Sequence, residues 1–208
     1  MKLQFDVKFK LPHYLATNLL GMSKEKLILA SKSPRRKHLL ELAAVDFEII
    51  TNDTDESYPA EMPVERVPEY IALQKALAIQ KDFPERTILA ADTVVVLHNQ
   101  IIGKPTDRAD AIRILTSLAG QTHHVITGVV LATNDEIVSF SDTTEVLFHP
   151  LTLSQIEYYV DHYKPYDKAG AYAIQEWIGV IGIQKINGCF YNVMGLPISK
   201  VLAHYNKK

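Results

Sequence analysis

The chain has 208 residues, of which 47% are apolar and 22% charged, a composition typical of a globular protein with one well-packed domain. Its 22 basic and 24 acidic residues give a net charge of −2, so the protein has no overall positive charge that would attract nucleic acid. The single cysteine excludes an internal disulfide and a cysteine-based zinc site, and it fits a reducing cytosol. The sequence shows no apolar run of membrane-spanning length and no secretion signal, and with the single cysteine we expect a cytoplasmic protein.

Residues 1–21 form a segment with a pattern of its own. Apolar and polar residues alternate from Leu3 to Leu11, which is the period of a half-buried strand and not the apolar block of a signal peptide. We interpret 1–21 as an N-terminal extension, either an added edge strand or an interface element, with an upstream start codon as the alternative. Residues 22–208 are predicted to form a single domain.

The stretch from Leu27 to Ala43 predicts a buried strand that runs directly into an amphipathic helix. Ser33 is suited to the N-cap and Pro34 to the first helical position. Hydroxyls, guanidiniums and the free N–H groups of the first turn would all favour an anion there, and we expect phosphate. The alternative is a simple helix start with solvated arginines. The candidate phosphate-binding residues are Ser31, Ser33, Arg35 and Arg36.

Strands and helices interleave along the rest of the chain. The sequence predicts, in order, a strand at 47–50, a helix from 64–68 to just before Pro84, a strand at 87–97 with a return strand at 101–102, a helix at 107–118, a strand pair at 125–133 and 136–148, a helix from the capping box at Thr152, a strand-like segment at 170–186 with a hairpin turn at 187–188, and a helix at 196–205. Because hairpins accompany the strand–helix units, we expect an α/β fold with a mixed twisted sheet flanked by helices.

Asp92 lies within the longest apolar strand, next to Thr93. Burial of an unpaired carboxylate costs several kcal/mol, so Asp92 requires a partner or a role. It could cap a helix, pair with an arginine or take part in catalysis. His123 and His124 are adjacent on a predicted strand and point to opposite faces, so they are not expected to share a metal ion.

Several separated motifs occur in one order between Leu27 and Tyr205, and together they resemble the Maf family of nucleoside triphosphate pyrophosphatases. These enzymes hydrolyse a nucleoside triphosphate to the monophosphate and pyrophosphate. The resemblance implies a Maf/ITPase-like fold with two lobes around a central cleft, and a Maf-like catalytic domain at 22–208. The motifs are ASKSPRR at 30–36, the acidic pair at 55–56, ADT at 91–93, GKP at 103–105, DKAGAYAIQ at 167–175 and the tail NVMGLPISK at 192–200.

The resemblance assigns Asp92 the role of proton acceptor for the attacking water. A carboxylate with an ordinary pKa of about 3.9 is a weak base toward water, whose pKa is about 15.7, so a divalent cation is required as well. Mg²⁺ and Mn²⁺ both accept oxygen ligands. The acidic pair then supplies the predicted metal ligands, with Glu56 preferred and Asp55 beside it.

Two lysines fit the triphosphate as point charges, although solvated lysines are the common alternative. Lys75 lies in a predicted helix, and Lys104 belongs to the GKP motif. By the same resemblance, Ser31 and Ser33 would donate to phosphate oxygens and Arg36 would hold the leaving pyrophosphate.

The segment 167–175 is similar to that of the subfamily that acts on dTTP and UTP. Arg35, Thr93 and Gln175 match positions that are important for specificity in that subfamily, and an amide suits the edge of uracil or thymine. The chain departs from the pattern at Glu176 and Trp177, which add bulk and negative charge.

We therefore predict a metal-dependent pyrophosphatase for dTTP, UTP and modified pyrimidine nucleotides, with a house-cleaning role. The expected partners are the nucleotide and a second copy of the chain in a homodimer, without nucleic acid or membrane. Two alternatives are a nucleotide-binding regulator of cell division with weak catalysis and a purine pyrophosphatase of the ITP type.

Overall fold

The structure is a computed structural model that describes residues 26–206, so the predicted extension at 1–21 lies outside the described residues. Within 26–206, seven strands form one sheet in the order β2-β1-β3-β5-β6-β7, and β4 pairs with β3 off this path. The strands are β1 (Leu27–Leu29), β2 (Phe47–Ile49), β3 (Ile88–Leu97), β4 (Gln100–Ile102), β5 (Thr122–Ala132), β6 (Ile137–Phe148) and β7 (Ile183–Asn187).

Helices flank this sheet on both faces. Among residues 26–206 they are α1 (Pro34–Leu42), α2 (Val67–Gln80), α3 (Arg108–Leu118), α4 (Leu153–Tyr163), α5 (Trp177–Gly182), α6 (Phe190–Val193) and α7 (Ile198–Tyr205), with a 3₁₀ turn at Ala169–Ala171. In the described part of the chain, no helix combines the length and the apolar character needed to cross a bilayer.

The sheet is mixed, as the sequence predicts. Strand β1 runs parallel to β2 and β3, whereas β3 pairs antiparallel with β4 and β5, β5 with β6, and β6 with β7. The parallel part follows from the strand–helix units at the start of the chain, and the antiparallel part from the hairpins that follow.

The long strand β3 divides the core into two layers. Its Leu89 and Ala91 contribute to the larger apolar cluster, which includes residues of α1, α3, α4 and α7. Its Ile88 and Ala90 face the opposite way and pack with residues of α2. This period-two alternation sends Asp92 toward the α2 face and Thr93 toward the face of the larger cluster.

The helix boundaries largely agree with the predictions. Ser33 occupies the N-cap position of α1 with Pro34 following, although among the described residues its side chain makes no capping bond. Thr152 and Gln155 form the predicted capping box of α4.

The prediction for 170–186 is wrong over most of its length. This segment contains the 3₁₀ turn and the helix α5, and only Ile183–Asn187 is a strand. The predicted hairpin at 187–188 is also wrong, because β7 is followed by the helix α6 instead of a returning strand. The physical reason is that a short apolar run fits a buried helix as well as a strand, so periodicity does not separate the two.

Candidate active site

A cleft lies along one edge of β3, at the point where the strand that pairs with β3 changes from β1 to β4. Strand β1 pairs with β3 at Ile88 and Leu89, and β4 pairs with the same strand from Val95 to Leu97. Asp92 and Thr93 fall between these two pairings. Since ligands of α/β folds commonly bind beyond the carboxyl end of a strand where the strand order reverses, this position suits a functional site.

The cleft has a volume of about 740 Å³ and brings together most of the predicted site residues. They come from the β1–α1 turn and the first turn of α1, the loop after β2, the helix α2, the strand β3 and the loop after β4. The predicted residues that line the cleft are Ser31, Ser33, Arg35, Arg36, Glu56, Lys75, Asp92, Thr93 and Lys104.

One side of the cleft, which we call the arginine wall, consists of Ser31, Arg36, Thr93 and Gly195. The guanidinium of Arg36 donates to the Gly195 carbonyl at 2.8 Å, to Ser31 Oγ at 3.0 Å and to Thr93 Oγ1 at 2.9 Å. The positive φ of Gly195, 113°, is a conformation that favours glycine. The wall therefore joins the β1–α1 turn, the first turn of α1, the middle of β3 and the loop after α6.

The two adjacent arginines have different environments. Arg36 is buried, and this burial lowers the pKa of its guanidinium, an effect opposed by the carboxylate of Asp92. Arg35 is half-buried; it donates to the Met194 carbonyl at 3.2 Å and lies 3.8 Å from the Asp167 carboxylate. Arg36 is thus the more tightly fixed of the two.

A second group of residues that lines the cleft, which we call the carboxylate wall, consists of Glu56, Lys75 and Asp92. Lys75 Nζ lies 2.7 Å from Glu56 Oε1 and 2.8 Å from Asp92 Oδ1. Partial burial raises the pKa of Glu56, but the hydrogen bond and charge of Lys75, with the charges of Lys104 and Arg36, outweigh it and bring the pKa below its ordinary value. Glu56 therefore remains ionised at neutral pH.

A glycine allows α2 to bring Lys75 to this wall. Gly128 of β5 pairs in register with Asp92, and a Cβ on Gly128 would lie 2.1 Å from the Glu69 backbone nitrogen. The backbone of α2 therefore contacts the sheet directly where Asp92 emerges. A side chain at 128 would force the helix away.

The donors of the carboxylate wall fit a divalent cation. Two carboxylate oxygens already converge on one positive charge, the ammonium of Lys75. Among residues 26–206, no group of three or more His, Cys, Asp or Glu side chains is arranged to hold a metal ion. An ion at the two carboxylates would therefore take its other ligands from water and substrate. Two carboxylates with water and substrate phosphates are a usual ligand set for Mg²⁺. Glu56 and Asp92 are therefore the residues suited to hold it.

Asp55 and Gln175 lie elsewhere. Asp55 is exposed, and its carboxylate accepts bonds from the Ser57 hydroxyl and N–H, which lower its pKa. Gln175 is also exposed. Within the described chain, neither residue lines the cleft.

The departure at Glu176 and Trp177 is accommodated within the protein. Glu176 accepts a hydrogen bond from the Tyr159 hydroxyl and lies 3.6 Å from Lys168 Nζ. Trp177 packs beside the ring of Tyr158, at a centroid distance of 4.8 Å. The charge of Glu176 is thus paired and does not line the cleft.

Sequence reasoning did not identify several residues that line the cleft, among them Gly195, Asp167 and Tyr172. Asp167 and Tyr172 lie in the motif at 167–175, and Gly195 lies in the motif at 192–200. Membership of these motifs is the sequence signal by which they could have been identified. The two adjacent histidines point to opposite faces of β5, as predicted: His123 is buried and shares a hydrogen bond of 2.8 Å with the Tyr172 hydroxyl, whereas His124 is exposed.

A cleft that brings basic groups from several elements together with a pair of carboxylates has the chemistry that suits a polyphosphate and a cation. A family model described as Maf-like protein matches residues 26–207, so the chain belongs to the Maf family. The resemblance seen in the sequence motifs is confirmed.

Curated relatives are similar over most of their length and carry the name dTTP/UTP pyrophosphatase. The relative from Cytophaga hutchinsonii is 48% identical over 181 residues, covering 87% of this chain and 83% of that protein. The one from Bacteroides thetaiotaomicron is 46% identical, covering 90% and 98%. The one from Thermosipho africanus is 49% identical, covering 85% and 90%.

Among solved structures, the Staphylococcus aureus Ham1 protein is similar with a TM-score of 0.43 and 15% identity, covering 60% of this chain and 72% of that one. This likeness is too weak to bear on the site.

Proposed function

We propose that this chain hydrolyses dTTP and UTP to the corresponding monophosphate and pyrophosphate. Relatives that are 46 to 49% identical over most of the chain bear the name of this activity. The observation that carries the proposal is that Arg36 and Asp92 line one cleft, so a single triphosphate can contact both.

The arginine wall would bind the pyrophosphate part of the substrate. Arg36 has five N–H donors, and the bonds to Ser31, Thr93 and Gly195 use three of them. Two N–H groups therefore remain for phosphate oxygens. Ser31 accepts from Arg36 and from the Ser33 N–H, which leaves its own proton to donate. Arg35 and Lys104 add positive charge to the same cleft.

The carboxylate wall would supply the chemistry at the α-phosphorus. Asp92 would accept the proton of a water that attacks this phosphorus, and Lys75 would exchange its bonds with the carboxylates for bonds with phosphate oxygens. A divalent cation bound by Glu56 and Asp92, with Asp55 as a further candidate, would acidify the water and neutralise phosphate charge. Mg²⁺ and Mn²⁺ are the candidate ions.

Base selection would involve Arg35, Thr93 and Gln175. Thr93 and Arg35 both line the cleft, which supports their contact with the nucleotide. Gln175 would have to act from outside the cleft lining, either on a base that extends beyond it or through a shift of the segment after Tyr172. We also propose action in the cytoplasm and as a homodimer, which family membership and the single cysteine support.

The test is a nucleotide panel with the full chain and Mg²⁺. UTP, dTTP, ITP and a methylated GTP are compared by kcat/KM, with both pyrophosphate and the monophosphate measured. We expect preference for UTP and dTTP and equimolar release of the two products. Strong preference for ITP would overturn the base assignment, and binding without turnover would favour the regulator.

A further inference from the structure

A chain of hydrogen bonds runs from Arg36 away from the cleft and into the sheet. Arg36 Nη2 donates to Thr93 Oγ1 at 2.9 Å. Thr93 Oγ1 lies 3.0 Å from Thr127 Oγ1 on the neighbouring strand. Thr127 Oγ1 donates in turn to the backbone carbonyl of Asn192 at 3.1 Å.

The direction of this chain follows from the available protons. The Asn192 carbonyl only accepts, so the single proton of the Thr127 hydroxyl points toward it. Thr127 Oγ1 is then an acceptor for the Thr93 hydroxyl, whose other acceptor, the Gly195 carbonyl, is farther away at 3.5 Å. Because each hydroxyl accepts one bond and donates the next, the bonds polarise one another and strengthen the acceptor that Arg36 meets.

The far end of the chain is fixed in the core. Thr127 and Asn192 are fully buried. The side-chain amide of Asn192 donates to the Val125 carbonyl and to Thr144 Oγ1, both at 3.0 Å. Asn192 therefore attaches α6 to β5 and β6, and its carbonyl is an immobile acceptor for Thr127.

We propose that Thr127 and Asn192 are positioning residues that orient Arg36 through the Thr93 hydroxyl for the pyrophosphate part of the substrate. The proposal rests on the proposed function in one respect, the binding of pyrophosphate by Arg36. Neither residue touches the substrate. Their effect is to keep the Nη2 edge of a buried guanidinium in one orientation, so that its two remaining N–H groups meet the phosphates.

Thr127→Val tests this proposal, because valine keeps the shape of threonine and removes the hydroxyl. We expect the KM for UTP to rise about tenfold with a smaller change in kcat, since one charge-assisted hydrogen bond is weakened. The dissociation constant for pyrophosphate, measured by isothermal titration calorimetry, should rise by a similar factor. Thr127→Ser restores the hydroxyl and should return both values to those of the parent.

Tyr159→Phe is the control. Tyr159 is equally buried, and its hydroxyl donates to Glu176 and accepts from the Ala173 N–H, neither of which belongs to the chain that ends at Arg36. This variant should lose stability to urea as Thr127→Val does while keeping the parent's affinity for pyrophosphate. If Thr127→Val does not fold, Thr127→Ala compared with Thr127→Ser makes the same measurement.

An unchanged pyrophosphate affinity in folded Thr127→Val or Thr127→Ala would overturn the proposal, as would equal weakening in Tyr159→Phe. A parent chain that binds pyrophosphate but does not hydrolyse UTP would instead contradict the proposed function. The pyrophosphate titration still tests the positioning role in that case, so the two failures are distinguishable.

Discussion

The two walls of the cleft hold their charges in different ways. In the arginine wall, Arg36 is buried and its three bonds end on a backbone carbonyl and two hydroxyls. In the carboxylate wall, the contacts join charged side chains; the Glu56 side chain is 52% exposed, whereas those of Lys75 and Asp92 are 16% and 15% exposed. Hydrogen bonds to a buried backbone fix a group, whereas an ion pair with one half-exposed partner, such as that of Lys75 with Glu56, contributes little and exchanges readily.

This difference suggests a division of labour. The arginine wall is suited to hold a leaving group in one orientation. The carboxylate wall is suited to release Lys75 from its two carboxylates when substrate and cation arrive. Substitutions in the two walls should therefore affect different kinetic constants.

The largest effect is expected in the carboxylate wall. Asp92→Asn keeps the shape of the side chain and removes the proton acceptor, so kcat for UTP should fall about 10² to 10⁴-fold, with triphosphate affinity largely retained. Steady-state kinetics and calorimetric binding of UTP check the two parts. Asp135→Asn, in the exposed turn between β5 and β6, should retain the parent's kcat. Near-parental turnover of Asp92→Asn would remove Asp92 from the mechanism.

The next effect is expected in the arginine wall. Lysine does not reproduce the three bonds that Arg36 makes, so Arg36→Lys should lower kcat/KM for UTP about 100-fold, mainly through KM. Arg35→Lys is the comparison, because Arg35 makes one backbone hydrogen bond, at 3.2 Å, and should lose less. A loss confined to kcat in Arg36→Lys would contradict the assignment of binding to this wall.

A smaller effect follows from the packing that supports the carboxylate wall. Gly128→Ala places a Cβ against the backbone of α2, so the unfolding free energy should fall by about 3 kcal/mol. As α2 moves, Lys75 leaves Asp92 and kcat should drop, while pyrophosphate affinity remains. Urea unfolding, kinetics and calorimetry measure these three quantities. For stability the control is Gly103→Ala, where an added Cβ has nothing within 4 Å. Equal destabilisation by both alanines would argue against the close approach.

The smallest effect concerns the core beneath the walls. Burial, with a lesser contribution from the charge of His124, lowers the pKa of His123 from 6.5 to about 4. The folded state thus favours the neutral ring, and its contribution to stability is complete above pH 6.5 and falls as the pH drops toward 4. From pH 7.5 to pH 5 we expect a loss of about 2 kcal/mol in unfolding free energy.

His123→Gln should remove this part of the pH dependence in urea titrations. His38→Gln, which removes an exposed imidazole of α1, should retain it. An identical pH dependence in the parent and in His123→Gln would show that His123 is not its source.

The sequence predicts the elements that carry strong local signals. The strand–turn–helix around Ser33 and Pro34 has a cap position, a fixed φ and an apolar stripe, and all three point to the same structure. The placement of Asp92 in a buried strand follows from the long apolar run around it. These signals place Arg36 at a helix start and Asp92 in a buried strand, whereas the roles expected for the two residues come from the resemblance of their motifs to the Maf family.

Long-range contacts are not readable in the same way. The bond from Arg36 to the Gly195 carbonyl joins residues 159 positions apart, and a backbone acceptor leaves no mark on the sequence. The bridge of Lys75 between two carboxylates depends on how closely α2 approaches β5, which Gly128 sets. The segment at 170–186 was misassigned because its apolar run carries no distinguishing period.

The most direct test of the division between the walls is hydrolysis of UTP in water labelled with ¹⁸O, followed by mass spectrometry of both products. Attack at the α-phosphorus by a water beside Asp92, with pyrophosphate held by Arg36, places one ¹⁸O in UMP and none in pyrophosphate. Label in pyrophosphate would mean that water attacks the phosphorus bound at the arginine wall, and it would contradict the account.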